Sequence, residues 1–151
     1  MDALTITATL MRIPLFQGLS STCLKEIAQG ANALFAPKGK KLFFKGDPAE
    51  NFYYVIDGRV KLAFVSEQGA EKVVEVIHPG MSFGEAVMIL NEPYPVYAET
   101  LKDSCLVRVR RREFVHALEH DKQMSLRIIA SLSRRLHQMT SDMESDRKSV
   151  V

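Results

Sequence analysis

The chain has 151 residues, is 46% hydrophobic and 25% charged, and carries a net charge of +2. That suits one domain with a real core, of ordinary globular composition. No apolar run reaches membrane-spanning length and no signal-peptide pattern opens the chain, so the cytoplasm is the expected compartment.

Residues 4–13 read as a short helix ended by Pro14. Ser20 or Ser21 caps a second helix, expected over residues 22–33, with Leu24, Ile27 and Ala28 on one face. Pro37 and Gly39 end it. Six glycines (Gly39, Gly46, Gly58, Gly69, Gly80 and Gly84) then punctuate short β-rich runs at residues 41–45, 52–56, 60–65, 73–77 and 105–109. Short strands between evenly spaced turn signals point to an antiparallel barrel or sandwich. In residues 52–56 both strand faces are apolar or aromatic, so that strand is expected to be covered on both sides. Residues 59–64 alternate, with the polar members outward. Gln68-Gly69 marks a hairpin turn to the next strand. Residues 82–90 are apolar, start at Gly84 and close at Pro93 and Pro95, which suggests one helical turn inside a β-domain.

After Arg111 the glycines stop. Residues 111–120 fit an amphipathic helix with Phe114, Val115 and Leu118 inward. A long helix follows, over residues 122–148. Ile129, Leu132, Leu136, Met139 and Met143 take a 3-4-3-4 spacing, the narrow seam of a coiled coil. A second apolar set, Leu126, Ile128 and Ala130, occupies only its first half. That half is expected to pack on its own domain while the seam meets a partner helix in a homodimer. Residues 1–120 then form a sensor domain and residues 121–151 a dimerisation helix. The first segment holds 14 Lys/Arg and 14 Asp/Glu, the second six and four. A charge-balanced β-domain is no electrostatic footprint for nucleic acid, and the run Arg108, Arg110, Arg111, Arg112 reads as a solvated face, with a contact to polymerase or to a DNA-binding domain as the other reading.

Several segments together resemble the sensor half of the Crp/Fnr transcription regulators, built on a cyclic nucleotide-binding domain. They are Leu15-Phe16-Gln17-Gly18-Leu19-Ser20; Leu42-Phe43-Phe44-Lys45-Gly46-Asp47-Pro48-Ala49; Tyr53-Tyr54-Val55-Ile56-Asp57-Gly58-Arg59-Val60-Lys61; Phe83-Gly84-Glu85; and Ser133-Arg134-Arg135-Leu136. The resemblance covers nearly the whole chain. It implies an α+β fold: an antiparallel jelly-roll with N-terminal helices and a long C-terminal dimerisation helix. It also implies a phosphate-binding cassette from Gly84, Glu85, Ala86 and Val87 to Pro95, Val96 and Tyr97, with Met139 and Thr140 of the long helix facing the effector.

Backbone N–H groups opening a short helix attract an anion, and Gly84 lets the backbone approach it closely. Glu85 would accept from a ribose hydroxyl. A cyclic phosphate also needs a cation. Relatives that bind cyclic AMP supply an arginine where this chain has Pro95-Val96, and no arginine stands between Arg59 and Arg108. Only Lys61, Lys72 and Lys102 are basic in that interval. Losing one charge-assisted contact costs on the order of 1.5–3 kcal/mol, about tenfold to more than hundredfold in affinity. Cyclic AMP is therefore disfavoured. On the long helix, Met139 replaces one of two expected hydroxyl residues and Thr140 keeps the other.

Two cysteines, Cys23 and Cys105, are too few for an all-Cys iron–sulfur cluster. The cassette's Pro93-Tyr94-Pro95-Val96-Tyr97 is similar to the family branch that senses nitric oxide, which makes haem a candidate cofactor. His137 is the candidate axial ligand; His78, His116 and His120 read as surface or turn histidines. The resemblance implies DNA binding through a helix-turn-helix that would follow residue 151. A chain that is part of a longer regulator and a natural single domain both stay open, as does a stand-alone regulatory subunit acting on another protein. No nucleophile–base pair and no metal motif is visible, so an enzyme is not expected.

Overall fold

The computed structural model describes residues 2–130 and residue 133. Leu132, Leu136, His137, Met139, Thr140 and Met143 lie outside the described residues.

Helix α1 (Ala3–Leu10) is capped by Asp2, whose side chain accepts from the Thr5 N–H at 2.8 Å. The chain then makes a 3-10 turn at Pro14–Phe16. Helix α2 (Ser21–Gln29) starts where a cap was expected: Ser20 Oγ accepts from the Cys23 N–H. It ends earlier than the sequence suggests. Residues 31–33, expected to end the helix, instead open strand β1 (Ala31–Ala36), paired antiparallel along its whole length with β8 (Ser104–Arg110). Gly30 is the true stop, the C-cap residue of α2.

Among the described residues, eight strands form two four-stranded sheets. The first has the order β1, β8, β3 (Asn51–Asp57), β6 (Ser82–Phe83). The second has the order β2 (Lys41–Phe43), β7 (Tyr97–Thr100), β4 (Val60–Val65), β5 (Glu71–Ile77). With the helices they make an antiparallel jelly-roll. As expected, both faces of β3 are covered: Phe52, Tyr53, Tyr54 and Val55 are all buried. Strand β4 keeps its register along β7, with Leu62 opposite Ala98 and Ala63 opposite Tyr97. A bulge in β5 shifts the β4–β5 register between Leu62 and Ala63. Ala63 is fully buried, while Leu62 and Phe64 are half-buried.

Phe52, Tyr54, Val107 and Val109 share the helix-facing side of the first sheet, as the pairs Phe52–Val109 and Tyr54–Val107 show. Phe16, Phe52 and Phe114 meet there with ring centroids 5.5–5.8 Å apart. Phe114 lies on α4 (Arg111–Glu119), with Ala117 as its buried companion; Val115 and Leu118 pack at the margin of the core.

A further helix, α5, begins after Asp121 and covers residues 122–130. Asp121 caps it by accepting from the Met124 N–H at 3.0 Å. That bond is the first cause holding the Asp121 carboxyl below its ordinary value; the Cys23 thiol, which donates to its other oxygen at 3.1 Å, is the next. Arg127 donates to the Gly18 carbonyl at 2.6 Å. Met124 and Ile128 are buried, whereas Leu126 and Ala130 are exposed. The inward face thus takes Met124 in place of the expected Leu126 and Ala130. Leu126 and Ile129, 65% and 61% exposed, line the opposite side.

Candidate functional site

The cassette is built where β6 ends. Gly84 takes the left-handed conformation (φ +89°) as the N-cap of α3 (Glu85–Ile89), which any side chain would strain. The single helical turn expected here is present. Glu85 is buried in its first turn, Ala86 is exposed and Val87 half-buried.

The space beside Gly84 holds Tyr94, a residue of the Pro93-Tyr94-Pro95 segment with no site role expected from the sequence. Tyr94 is buried, and its ring stacks on Phe43 with centroids 3.6 Å apart and planes 7° from parallel. A Cβ at Gly84 would lie 3.6 Å from that ring. The Tyr94 hydroxyl donates to the Asn51 carbonyl, and its backbone bonds Asp47 and Gly46. Burial pushes this phenol well above its ordinary value. Tyr53 and Phe83 stack next to it at 5.2 Å. The available signal was an aromatic residue held between Pro93 and Pro95.

Pro95 is exposed, and Val96 packs at the margin of the core. Tyr97 is not brought to the cassette. It lies on the face of β7 opposite the buried Ala98, where its hydroxyl bonds Glu71 and its ring carries the Lys41 ammonium at 4.8 Å. Alternation along the strand forces this: Ala98 and Thr100 face inward, so Tyr97 and Glu99 face out. Lys61 shares that outer face, bonded to Glu71 at 2.7 Å and near Glu99 at 3.6 Å. Of the other lysines, Lys72 and Lys102 are exposed.

The guanidinium nearest α3 by bonding is at the helix's other end. Arg111, the first residue of α4, donates from Nε to the Met88 carbonyl at 2.8 Å, while its own N–H reaches the Glu50 carbonyl. A cation suits a helix C-terminus and is unfavourable at an N-terminus. Arg111 opens α4 yet serves α3, which ties the two helices together.

Two adjoining clefts open elsewhere. The larger, about 850 Å³, is lined by Glu26, Asn91, Arg110, Arg111, Arg112 and His116 among others. The smaller, about 320 Å³, includes Asn32, Asn51, Arg108 and Arg110. Neither takes a lining residue from Gly84, Glu85, Pro95 or Val96. Arg110 pairs with Glu113 and Arg108 reaches Asn32. His78 is exposed beside a turn, and His116 on α4 and His120 at its C-cap are exposed. Among the described residues no group of three or more His, Cys, Asp or Glu is arranged to hold a metal ion. No helix among them is long and apolar enough to cross a membrane.

The sequence matches the cyclic nucleotide-binding domain family over residues 34–121. Among solved structures it is similar to the sensor domain of the transcriptional regulator DNR from Pseudomonas aeruginosa. The two are 31% identical, with 92% of this chain and 93% of that one covered and a TM-score of 0.80. The cyclic AMP receptor protein of Thermus thermophilus is 26% identical over 133 residues, 88% of this chain and 61% of that protein. Potassium channel KOR1 of Oryza sativa subsp. japonica is 27% identical over 136 residues, 86% of this chain and 16% of the channel. The chain thus spans a small part of the channel and about three-fifths of the receptor protein. These relatives are regulators and channels.

Proposed function

We propose, because the chain belongs to the cyclic nucleotide-binding domain family, that it is the effector-sensing and dimerising part of a Crp/Fnr-type transcription regulator whose effector is not cyclic AMP. One observation carries this reading: the space beside Gly84 is filled by the Tyr94–Phe43 stack, and the neutral, exposed Pro95 stands where the resemblance calls for arginine. A cyclic phosphate there would meet an aromatic edge and a proline. It would gain no charge-assisted bond to offset desolvation of its anionic oxygens.

Haem does not fit the described residues. The roll beside the cassette is packed with Phe43, Tyr53, Phe83 and Tyr94, and the described histidines lie on the surface. The candidate His137 lies outside the described residues. An apolar effector that displaces the Tyr94 ring suits this interior better than a nucleotide or a porphyrin.

Transmission follows the bonds. An effector that repositions α3 moves the Met88 carbonyl, and Arg111 carries that displacement to the start of α4. The C-terminal end of α4 meets the Asp121 cap of α5, where Ser125 Oγ donates to the Leu118 carbonyl at 2.8 Å. The seam helix would then re-aim DNA-reading modules in a homodimer by a shift in populations. The exposed Ile129 supports the seam; a chain sedimenting as a monomer at micromolar concentration would remove it. Contact with RNA polymerase belongs to the same proposal, as does the division into a sensor (1–120) and a dimerisation helix (121–151).

The matches to potassium channels favour a second reading, a regulatory module that acts on a partner protein rather than on DNA. A thermal melt tests the effector claim for both. With cyclic AMP or cyclic GMP at 1 mM the midpoint is expected to stay put. A ligand present at about a hundred times its Kd stabilises by about 2.7 kcal/mol, so a rise of several degrees would overturn the claim. Hemin is expected to give no stoichiometric Soret band; a band lost in His137→Ala would restore the haem reading.

A further inference from the structure

The end of helix α4 and its C-cap carry two histidines four residues apart that nothing above employs. The rings of His116 and His120 lie 4.3 Å apart, centroid to centroid, tilted by 34°. Each already has its Nδ1 engaged. His116 Nδ1 is bonded to the carboxylate of Glu26, across on α2. His120 Nδ1 lies 2.8 Å from the His116 carbonyl oxygen. A carboxylate and a carbonyl only accept, so Nδ1 carries the proton in both rings. A neutral imidazole then has its free lone pair on Nε2. Both residues are exposed, so neither imidazole is closed off in the core.

That arrangement has a chemical meaning. Histidines that ligate a metal through one ring nitrogen almost always donate the other N–H to a carboxylate or a backbone carbonyl, which fixes tautomer and ring orientation. Here one histidine has the carboxylate and the other the carbonyl. His116 lies in the last turn of α4 and His120 is its C-cap, and the adjacent rings keep the i, i+4 spacing by which a helix offers two imidazoles to one ion. We propose that His116 and His120 form a two-point clip for a late first-row divalent ion, Cu²⁺, Ni²⁺ or Zn²⁺, bound through both Nε2 atoms and completed by water. Imidazole nitrogen suits these ions, whereas Mg²⁺ and Ca²⁺ require oxygen donors. With no third protein ligand converging among the described residues, the clip is open and exchangeable, unlike a four-ligand structural zinc site. It sits at the C-terminal turn of α4, directly before the Asp121 cap of α5, and Glu26 ties it to α2. A bound ion would stiffen the junction from which the seam helix departs.

The test is calorimetric titration of the full, tag-free chain with CuCl₂, NiCl₂ and ZnCl₂ in a non-chelating buffer at pH 7.5. One equivalent per chain is expected, tightest for Cu²⁺. Repeating the titration at pH 5 should abolish the heat, because protons compete with the ion for Nε2. His116→Ala and His120→Ala should each weaken binding at least tenfold, and Glu26→Ala by about tenfold through loss of the orienting carboxylate. Circular dichroism confirms that these exposed variants fold. Cu²⁺ binding absent below 1 mM, or unchanged in His120→Ala, would overturn the proposal. So would binding that is lost in His78→Ala or His137→Ala instead.

Discussion

Phe16, Phe52 and Phe114 meet under the helices with almost no exposed surface, whereas Val73 and Val74 on the β4–β5 hairpin remain 53% and 59% exposed. The first region is held by apolar burial that links α2, α4, β3 and β8. The second hangs on the edge of its sheet and is fastened across its outer face by Lys61, Glu71, Tyr97 and Lys41. Buried apolar contacts resist salt and pH, while exposed ion pairs are screened and individually weak. The difference assigns mechanical roles. The aromatic side is the platform on which α4 and α5 are mounted, and the hairpin side is the part of the roll that can open locally.

The largest expected effect tests the platform. Phe114→Ala empties the centre of the three-ring cluster and should cost about 3–5 kcal/mol by urea unfolding. Val73→Ala, the matching truncation on the hairpin, should stay within about 0.5 kcal/mol. Similar losses at both sites would erase the contrast.

Two glycines sharpen it further. Gly58 closes the β3–β4 turn at φ +108°, and an added Cβ would lie 2.6 Å from the Ser104 Cα. Gly69, at the hairpin tip, has φ +83° and no atom within 4 Å of the same added carbon. Both alanine variants carry left-handed strain of roughly 1–2 kcal/mol. Only Gly58→Ala adds a backbone collision, which should make it at least about 1 kcal/mol more destabilising than Gly69→Ala. Equal midpoints in chemical denaturation would show that the packed end yields as easily as the free one.

The parts of this architecture that were legible in the sequence are those set by local chemistry. Ser20 as a cap, Gly84 before one helical turn, the doubly covered β3 and the buried Phe114 all follow from residue type and spacing. The long-range features were not. Residues 31–33 look helical in isolation and joined β1 because β8 offers a continuous partner. Tyr97 was read with the cassette from its place in the chain, and the pleat turned it to the outer face. Leu126 and Met124 are both apolar; only docking against the N-terminal helices decides which one is buried. Tyr94 beside Gly84 and Arg111 on the Met88 carbonyl are meetings between distant segments, and no periodicity announces them.

The smallest effect concerns how the hairpin is fastened. The bond from Lys61, and after it the Tyr97 hydroxyl, holds the Glu71 carboxyl below its ordinary value. A depressed folded-state value means the network contributes fully above the ordinary carboxylate range and fades as pH falls through the lower folded value. Methyl NMR signals of Val73 and Val74 should therefore report a loosening of β5 on acidification below about pH 4. The global unfolding midpoint should change little in the same step, because the network is exposed. Glu71→Gln should loosen the hairpin at neutral pH and remove the acid step, and 1 M salt should act in the same direction. If the acid step persists in Glu71→Gln, some other carboxylate fastens β5. The hairpin's freedom to move would then not be set by the Lys61–Glu71–Tyr97 network.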